Sequence, residues 1–170
     1  ALHRKSSLSN SNANSGNGGA FQDAMPDNYC YGCGPSNPHG LHIKSYWDGD
    51  ESVCTFMPSP HHSAGPKQYL NGGVIATLID CHCICTAVAN AYRREGREDG
   101  GPPEIWYVTG ALNVRYVNPT PIDRPVSLRA RIVEEKPKKT IVQCLLLSEG
   151  IDCARGEVVA VRVASEWKGQ

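Results

Sequence analysis

Hydrophobic and polar positions change rhythm along this chain, and each change marks an element. Residues 6–19 are almost all Ser, Asn and Gly with little to bury. Such a composition does not offset the entropy of ordering, so residues 1–24 are expected to form a disordered or weakly docked tail. Order is expected to begin near Pro26, giving one domain over residues 25–170. Gly40 to Trp47 and Glu51 to Met57 alternate on either side of Asp48-Gly49-Asp50, which predicts a hairpin. Pro58 to Pro66 is a loop rich in Pro, His and Gly. From Gln68 to Tyr92 the only acidic or basic side chains are Asp80 and the weakly basic His82. Val74, Ile75, Leu78, Ile79, Ala87, Val88, Ala91 and Tyr92 make this stretch apolar nearly all round. Gly72-Gly73 precede it, Glu95-Gly96 follow it, and Arg93 and Arg94 suit a helix C-terminus. The pattern predicts a helix from about Gly73 to Arg94, enclosed by other structure. Four strand-like runs follow, Ile105 to Val117, Val126 to Glu134, Thr140 to Ser148 and Glu157 to Glu166. Pro119 and Pro121, then Lys136-Pro137-Lys138-Lys139, then Gly150 and Gly156 punctuate them.

Two strands, a buried long helix and four more strands imply an α+β domain whose antiparallel sheet curls around a central helix, the hotdog architecture. With 170 residues there is material for one core. Lys plus Arg and Asp plus Glu both number 17, so the chain lacks the basic footprint of a nucleic-acid binder. No apolar run is read as long enough to span a membrane, and the N-terminus lacks the blocks of a secretory signal. The eight cysteines, clustered partly as Cys81-His82-Cys83-Ile84-Cys85, are therefore expected to be reduced, with cytoplasm as the compartment.

A lone carboxylate in an apolar helix is costly unless something nearby uses it, so Asp80 is the first candidate for chemistry. The bland account is a hydrogen-bonded core carboxylate, but Ala76, Thr77, Cys83 and Ile84 around it on the helix offer no cation. Attack on a carbonyl carbon needs a polarised oxygen and an activated water or nucleophile. The helix start supplies unpaired N–H groups and a positive dipole end, while Gly72 and Gly73 admit a substrate closely. The same glycines also suit a plain tight turn. Eight residues at about 1.5 Å rise put Asp80 roughly 12 Å from Gly72 along the axis. One chain therefore cannot bring both to one carbonyl, and two helices related by a twofold axis would.

Asn71-Gly72-Gly73-Val74-Ile75-Ala76-Thr77-Leu78-Ile79-Asp80 resembles the helix start of PaaI-type acyl-CoA thioesterases of the hotdog superfamily, in which His-Gly-Gly opens the helix and Asp follows nine residues after the His. Cys30 to Leu41 is similar to an N-terminal signature of one branch of that family, and Val108 to Pro119 to its strand after the helix. The resemblance covers about Asn28 to Glu166. It implies Gly72 as oxyanion donor and Asp80 as general base or nucleophile. It also implies that Thr109, at the family's Ser/Thr position, sits near the site with its hydroxyl donated to the carboxylate or to the attacking water, and that active sites lie at dimer interfaces. From residue type alone an ordinary strand residue is the commoner role of a Thr there, and only the resemblance singles Thr109 out. The chain departs from the pattern at Asn71, which can donate or accept a hydrogen bond but cannot titrate near neutrality. A second departure is Gly65, where some relatives carry Asn or Gln. His61, His62 or Gln68 stand near enough in sequence to fill that role.

Cys30 and Cys33 with His39 and His42, or with Cys81, His82 and Cys85, have a passable zinc spacing, but the His pair is too close for the usual pattern. No metal is expected, and the helix cysteines read most simply as small buried hydrophobes. The resemblance implies an acyl-CoA substrate with no separate cofactor, and an acyl tunnel between subunits of a homodimer or dimer of dimers. Gly73, His62, Gln68 and Arg115 are candidate substrate contacts. Arg124, Lys136, Lys138 and Lys139 are further cations for coenzyme A phosphates, although such residues are usually just solvated. The rival readings are an acyl-thioester hydratase or dehydratase and a non-catalytic acyl-thioester binder.

Overall fold

A computed structural model describes residues 18–169, so most of the expected tail lies outside the described residues. Strands β1 (Ser45–Asp48) and β2 (Glu51–Phe56) precede helix α1 (Gly72–Arg94), and β3 (Trp106–Tyr116), β4 (Val126–Lys136), β5 (Lys139–Ser148) and β6 (Ile151–Val163) follow it. All six strands join one antiparallel sheet in the order β1-β2-β4-β5-β6-β3. The helix packs on β3, β4, β5 and β6, so the sheet wraps it as the hotdog pattern requires. Leu78 and Ile79 of α1 share one core cluster with Leu128, Val142, Leu146 and Val158 of the sheet, all inaccessible to solvent. Each such side chain contributes on the order of 2 kcal/mol through loss of apolar surface to water.

Three expectations change. Phe21–Ala24, placed in the tail by composition, forms a 3-10 turn. It buries Phe21 against Trp47, ring centroids 5.0 Å apart, and Gln22 in the core. Strand β6 begins at Ile151 rather than Glu157, because Gly156 is no break but the site of closest approach between sheet and helix. A Cβ there would lie 2.4 Å from the Ile79 side chain. Helix α1 is also long and apolar enough to cross a bilayer, contrary to the sequence reading; here it is a mostly buried core helix.

His82 has no exposed surface. Its Nδ1 shares a hydrogen bond with Ser45 Oγ at 2.8 Å and its Nε2 with Ser52 Oγ at 3.1 Å. Ser52 Oγ also bonds Thr86 Oγ1 at 2.6 Å, and Gln22 Nε2 donates to Ser45 Oγ at 3.0 Å. This network ties α1 to the β1–β2 hairpin and to the N-terminal turn. It uses His82 as structure.

Candidate active site

The start of α1 is held by its cap. Asn71 lies in extended conformation and its Oδ1 accepts from the N–H of Gly73 at 2.7 Å and of Val74 at 3.2 Å. That satisfies two of the helix's orphan donors. The Asn71 N–H donates to the His62 carbonyl at 2.9 Å, and the Leu70 N–H to the Thr120 carbonyl at 2.8 Å, which fixes the approach to the helix from both flanking loops. The Gly72 N–H has no partner among the described residues. On the other side of the same residue, the Tyr116 hydroxyl donates to the Gly72 carbonyl at 2.6 Å. The helix therefore presents one free amide at its positive end, suited to a developing negative charge.

Asp80 stands two turns further along, on the face turned to β3. Thr109 Oγ1 donates to Asp80 Oδ1 at 2.6 Å. Both residues line a cavity of about 220 Å³ whose walls include Ile84, Val88, Trp106 and Tyr107. Burial pushes the Asp80 carboxyl above its ordinary value, the Thr109 hydrogen bond opposes that, and negative charge at Cys33 would add to it. A carboxyl raised this way is a better proton acceptor than a solvated one.

Thr109 and Tyr116 are seven residues apart, so strict alternation would put them on opposite faces. The register shifts between Thr109 and Ala111, and Thr109 pairs with Ala160 while Tyr116 pairs with Ala154. Ala160 and Ala154 both face the helix, fully buried. The bulge at Gly110 thus brings the Thr109 hydroxyl to Asp80 and the Tyr116 hydroxyl to Gly72 from one strand. Tyr116 was not anticipated, and a glycine interrupting a strand pattern was the available signal.

The other candidates fall in different places. Gly73 gives its N–H to the cap, as above. His62 is buried, its Nδ1 accepts from the Ser59 N–H at 3.0 Å, and its ring packs against Phe56 and His61. Burial, and then His61, hold its pKa below the usual histidine value. Gln68 is exposed, and its backbone carbonyl accepts from Ile122. Gly65 is exposed with open space around it. Arg115 is exposed on β3 opposite Arg155, and its guanidinium has no partner among the described residues. Arg124 pairs with Glu149 and Lys136 with Glu134, so both carry local ion pairs. His39 and His42 are exposed and stand apart from the thiols of Cys30 and Cys33, which instead meet Cys81.

No family model matches the chain. A solved thioesterase superfamily protein from Shewanella loihica is 37% identical, covering 76% of this chain and 98% of its own, with a TM-score of 0.59. The PaaI protein of the Escherichia coli phenylacetic acid degradation operon shares the fold at 14% identity, 73% and 81% coverage and a TM-score of 0.59. Among curated proteins, the acyl-coenzyme A thioesterase THEM4 of Xenopus laevis is 28% identical over 109 residues, which is 64% of this chain and 43% of that protein. The chain thus spans less than half the length of this relative.

Proposed function

The chain belongs to the thioesterase superfamily, and from that premise we propose that it hydrolyses an acyl-CoA thioester to a free acid and coenzyme A. The observation that carries this reading is the Asp80 carboxylate, fixed by Thr109 at 2.6 Å in the wall of an apolar cavity. The acyl group occupies that apolar space. Asp80 takes a proton from water as the oxygen attacks the thioester carbon. The carbonyl electrons move to oxygen, where a helix-start amide stabilises them. The tetrahedral intermediate then collapses, the carbon–sulphur bond breaks, and the thiolate leaves to take up the proton.

The amide in question is the Gly72 N–H of a second copy, since the chain's own lies too far along the helix. The sheet leaves room for such a copy: β3 is an edge strand of eleven residues with no neighbour on its outer side among the described residues. Leu112, Tyr116 and Val117 on or next to it are 40–53% exposed, and a long apolar edge of this kind is covered in a stable protein. Pairing of two β3 edges about a twofold axis makes the homodimer, and Arg115, on the same strand, supplies a cation for coenzyme A phosphate. The eight cysteines are all free thiols, which supports the cytoplasm or another reducing compartment.

A second reading has one observation in its favour. Asn71 spends its amide oxygen on the helix cap and offers nothing that titrates, so the protein would bind acyl-CoA without turning it over. The hydratase reading is weaker, because no histidine is among the residues described around the cavity. Release of free thiol from a panel of acyl-CoAs separates these. The hydrolase reading expects turnover by the wild type and a loss of about 10²- to 10⁴-fold in Asp80→Asn. Tight acyl-CoA binding without thiol release would establish the binder instead.

A further inference from the structure

Beside Asp80, and not used by the chemistry above, lies a group of four thiols. Cys30 and Cys33 come from the loop before β1, Cys81 and Cys85 from successive turns of one face of α1. The sulphurs of Cys30, Cys33 and Cys81 all lie within 4.8 Å of one another, and those of Cys30 and Cys81 are 3.6 Å apart. Four thiolates at about 2.3 Å from a tetrahedral zinc ion stand about 3.8 Å from each other, so these three sulphurs are close to the spacing of three corners of a coordination shell. Cys85, one helical turn beyond Cys81, is buried and lines the same cavity; its sulphur stands outside that group of three and reaches the fourth position by a change of side-chain rotamer. We propose that Cys30, Cys33, Cys81 and Cys85 bind one zinc ion, which pins the N-terminal loop to the central helix.

The loop is shaped for this role. The Gly34 N–H donates to the Cys30 carbonyl at 2.8 Å and closes a tight turn between the two loop cysteines. Asn28 Nδ2 approaches the Cys33 sulphur at 3.7 Å, while Asn28 Oδ1 accepts from the Cys30 N–H at 2.9 Å. A donor aimed at the Cys33 sulphur suits a thiolate, and outer partners of this kind orient metal ligands. The loop rests directly on the helix: a Cβ at Gly32 would lie 2.2 Å from the Cys81 sulphur. A disulfide between Cys30 and Cys81 would use two of the four thiols and leave Cys33 and Cys85 without a role. The proposed site has two cysteines two residues apart on a turn and two four apart on a helix. Sequence spacing admits several ligand sets for Cys30 and Cys33, and the fold selects the helix cysteines over His39 and His42 by bringing Cys81 to them.

The test is metal analysis of the full chain purified under reducing conditions without chelator. The expected content is about one zinc per chain, falling more than about tenfold in Cys30→Ser/Cys81→Ser and unchanged in Cys144→Ser, whose thiol lies on β5. Should the double variant fail to fold, the wild type stripped of metal and titrated with cobalt(II) still decides. Thiolate-to-cobalt charge transfer and intense tetrahedral d–d bands, saturating at one equivalent, support the site. Wild type purified without zinc and showing no such bands with cobalt overturns it. So does a Cys30–Cys81 disulfide found by mass spectrometry in protein free of metal. None of these outcomes depends on thioester hydrolysis, so the site and the hydrolase reading stand or fall separately.

Discussion

Asp80 and Thr109 were visible in the sequence for different reasons. Asp80 stands out because an unpaired carboxylate is conspicuous in an apolar helix, whereas nothing but family resemblance distinguishes Thr109 from any other strand residue. Residue type alone does not reveal their partnership, which depends on how β3 lies over α1; the family resemblance implies a hydroxyl donated to the carboxylate or to the attacking water, and it is the carboxylate that receives it. It is the hydroxyl that counts, so Thr109→Val is expected to lower thiol release by about 10- to 100-fold, the worth of one hydrogen bond to a charged group. Thr109→Ser is expected to keep most of it. A kcat that falls with little change in KM is the signature to look for; equal rates in Val and wild type would remove Thr109 from the site. Gly72 admits an equally clean change. Proline is tolerated at the first helical position and simply lacks the N–H, and Asn71 before it is already extended. Gly72→Pro is therefore expected to keep the helix and lose turnover, measured by far-ultraviolet circular dichroism beside the thiol assay.

At the scale of elements, the periodicity located α1 and all six strands, because burial on one face imposes a period that sequence records directly. It failed where glycine carries two meanings. Gly156 reads as a turn but serves as the gap through which Ile79 reaches the sheet, a fact about packing that no local pattern contains. Gly156→Ala is expected to destabilise the fold by about 1–3 kcal/mol in urea denaturation, as an added methyl forces Ile79 aside. Asn71 departs from the family's catalytic pattern, and in the structure its side chain caps the helix. Asn71→Ala is accordingly expected to cost about 1 kcal/mol, and Asn71→Asp, which also accepts from the helix amides, to cost much less.

The whole molecule hangs on a buried polar network as well as on its apolar core. Full burial holds the His82 pKa down at about 4, against about 6.5 when solvated. The folded state keeps this ring neutral while the unfolded chain takes up a proton as pH falls. Its contribution is thus complete above about pH 6.5 and is lost between there and about pH 4, on the order of 3 kcal/mol in all. Denaturant midpoints across that window, with metal chelated so that ion loss plays no part, are expected to fall in wild type and to fall less in His82→Asn. A flat profile would mean that the ring is not held neutral.

Assembly is the scale least recorded in one chain. A pair of β3 edges and the distance between Asp80 and Gly72 point to a shared site, and mixing two crippled chains tests that most directly. Asp80→Asn and Gly72→Pro subunits, each silent alone, are combined by unfolding and refolding together. Random pairing leaves about a quarter of sites with an intact Asp80 facing an intact Gly72, so thiol release should return to about that fraction of wild type. A mixture as silent as its parts, with mixed dimers shown to be present, would contradict a site built from two chains.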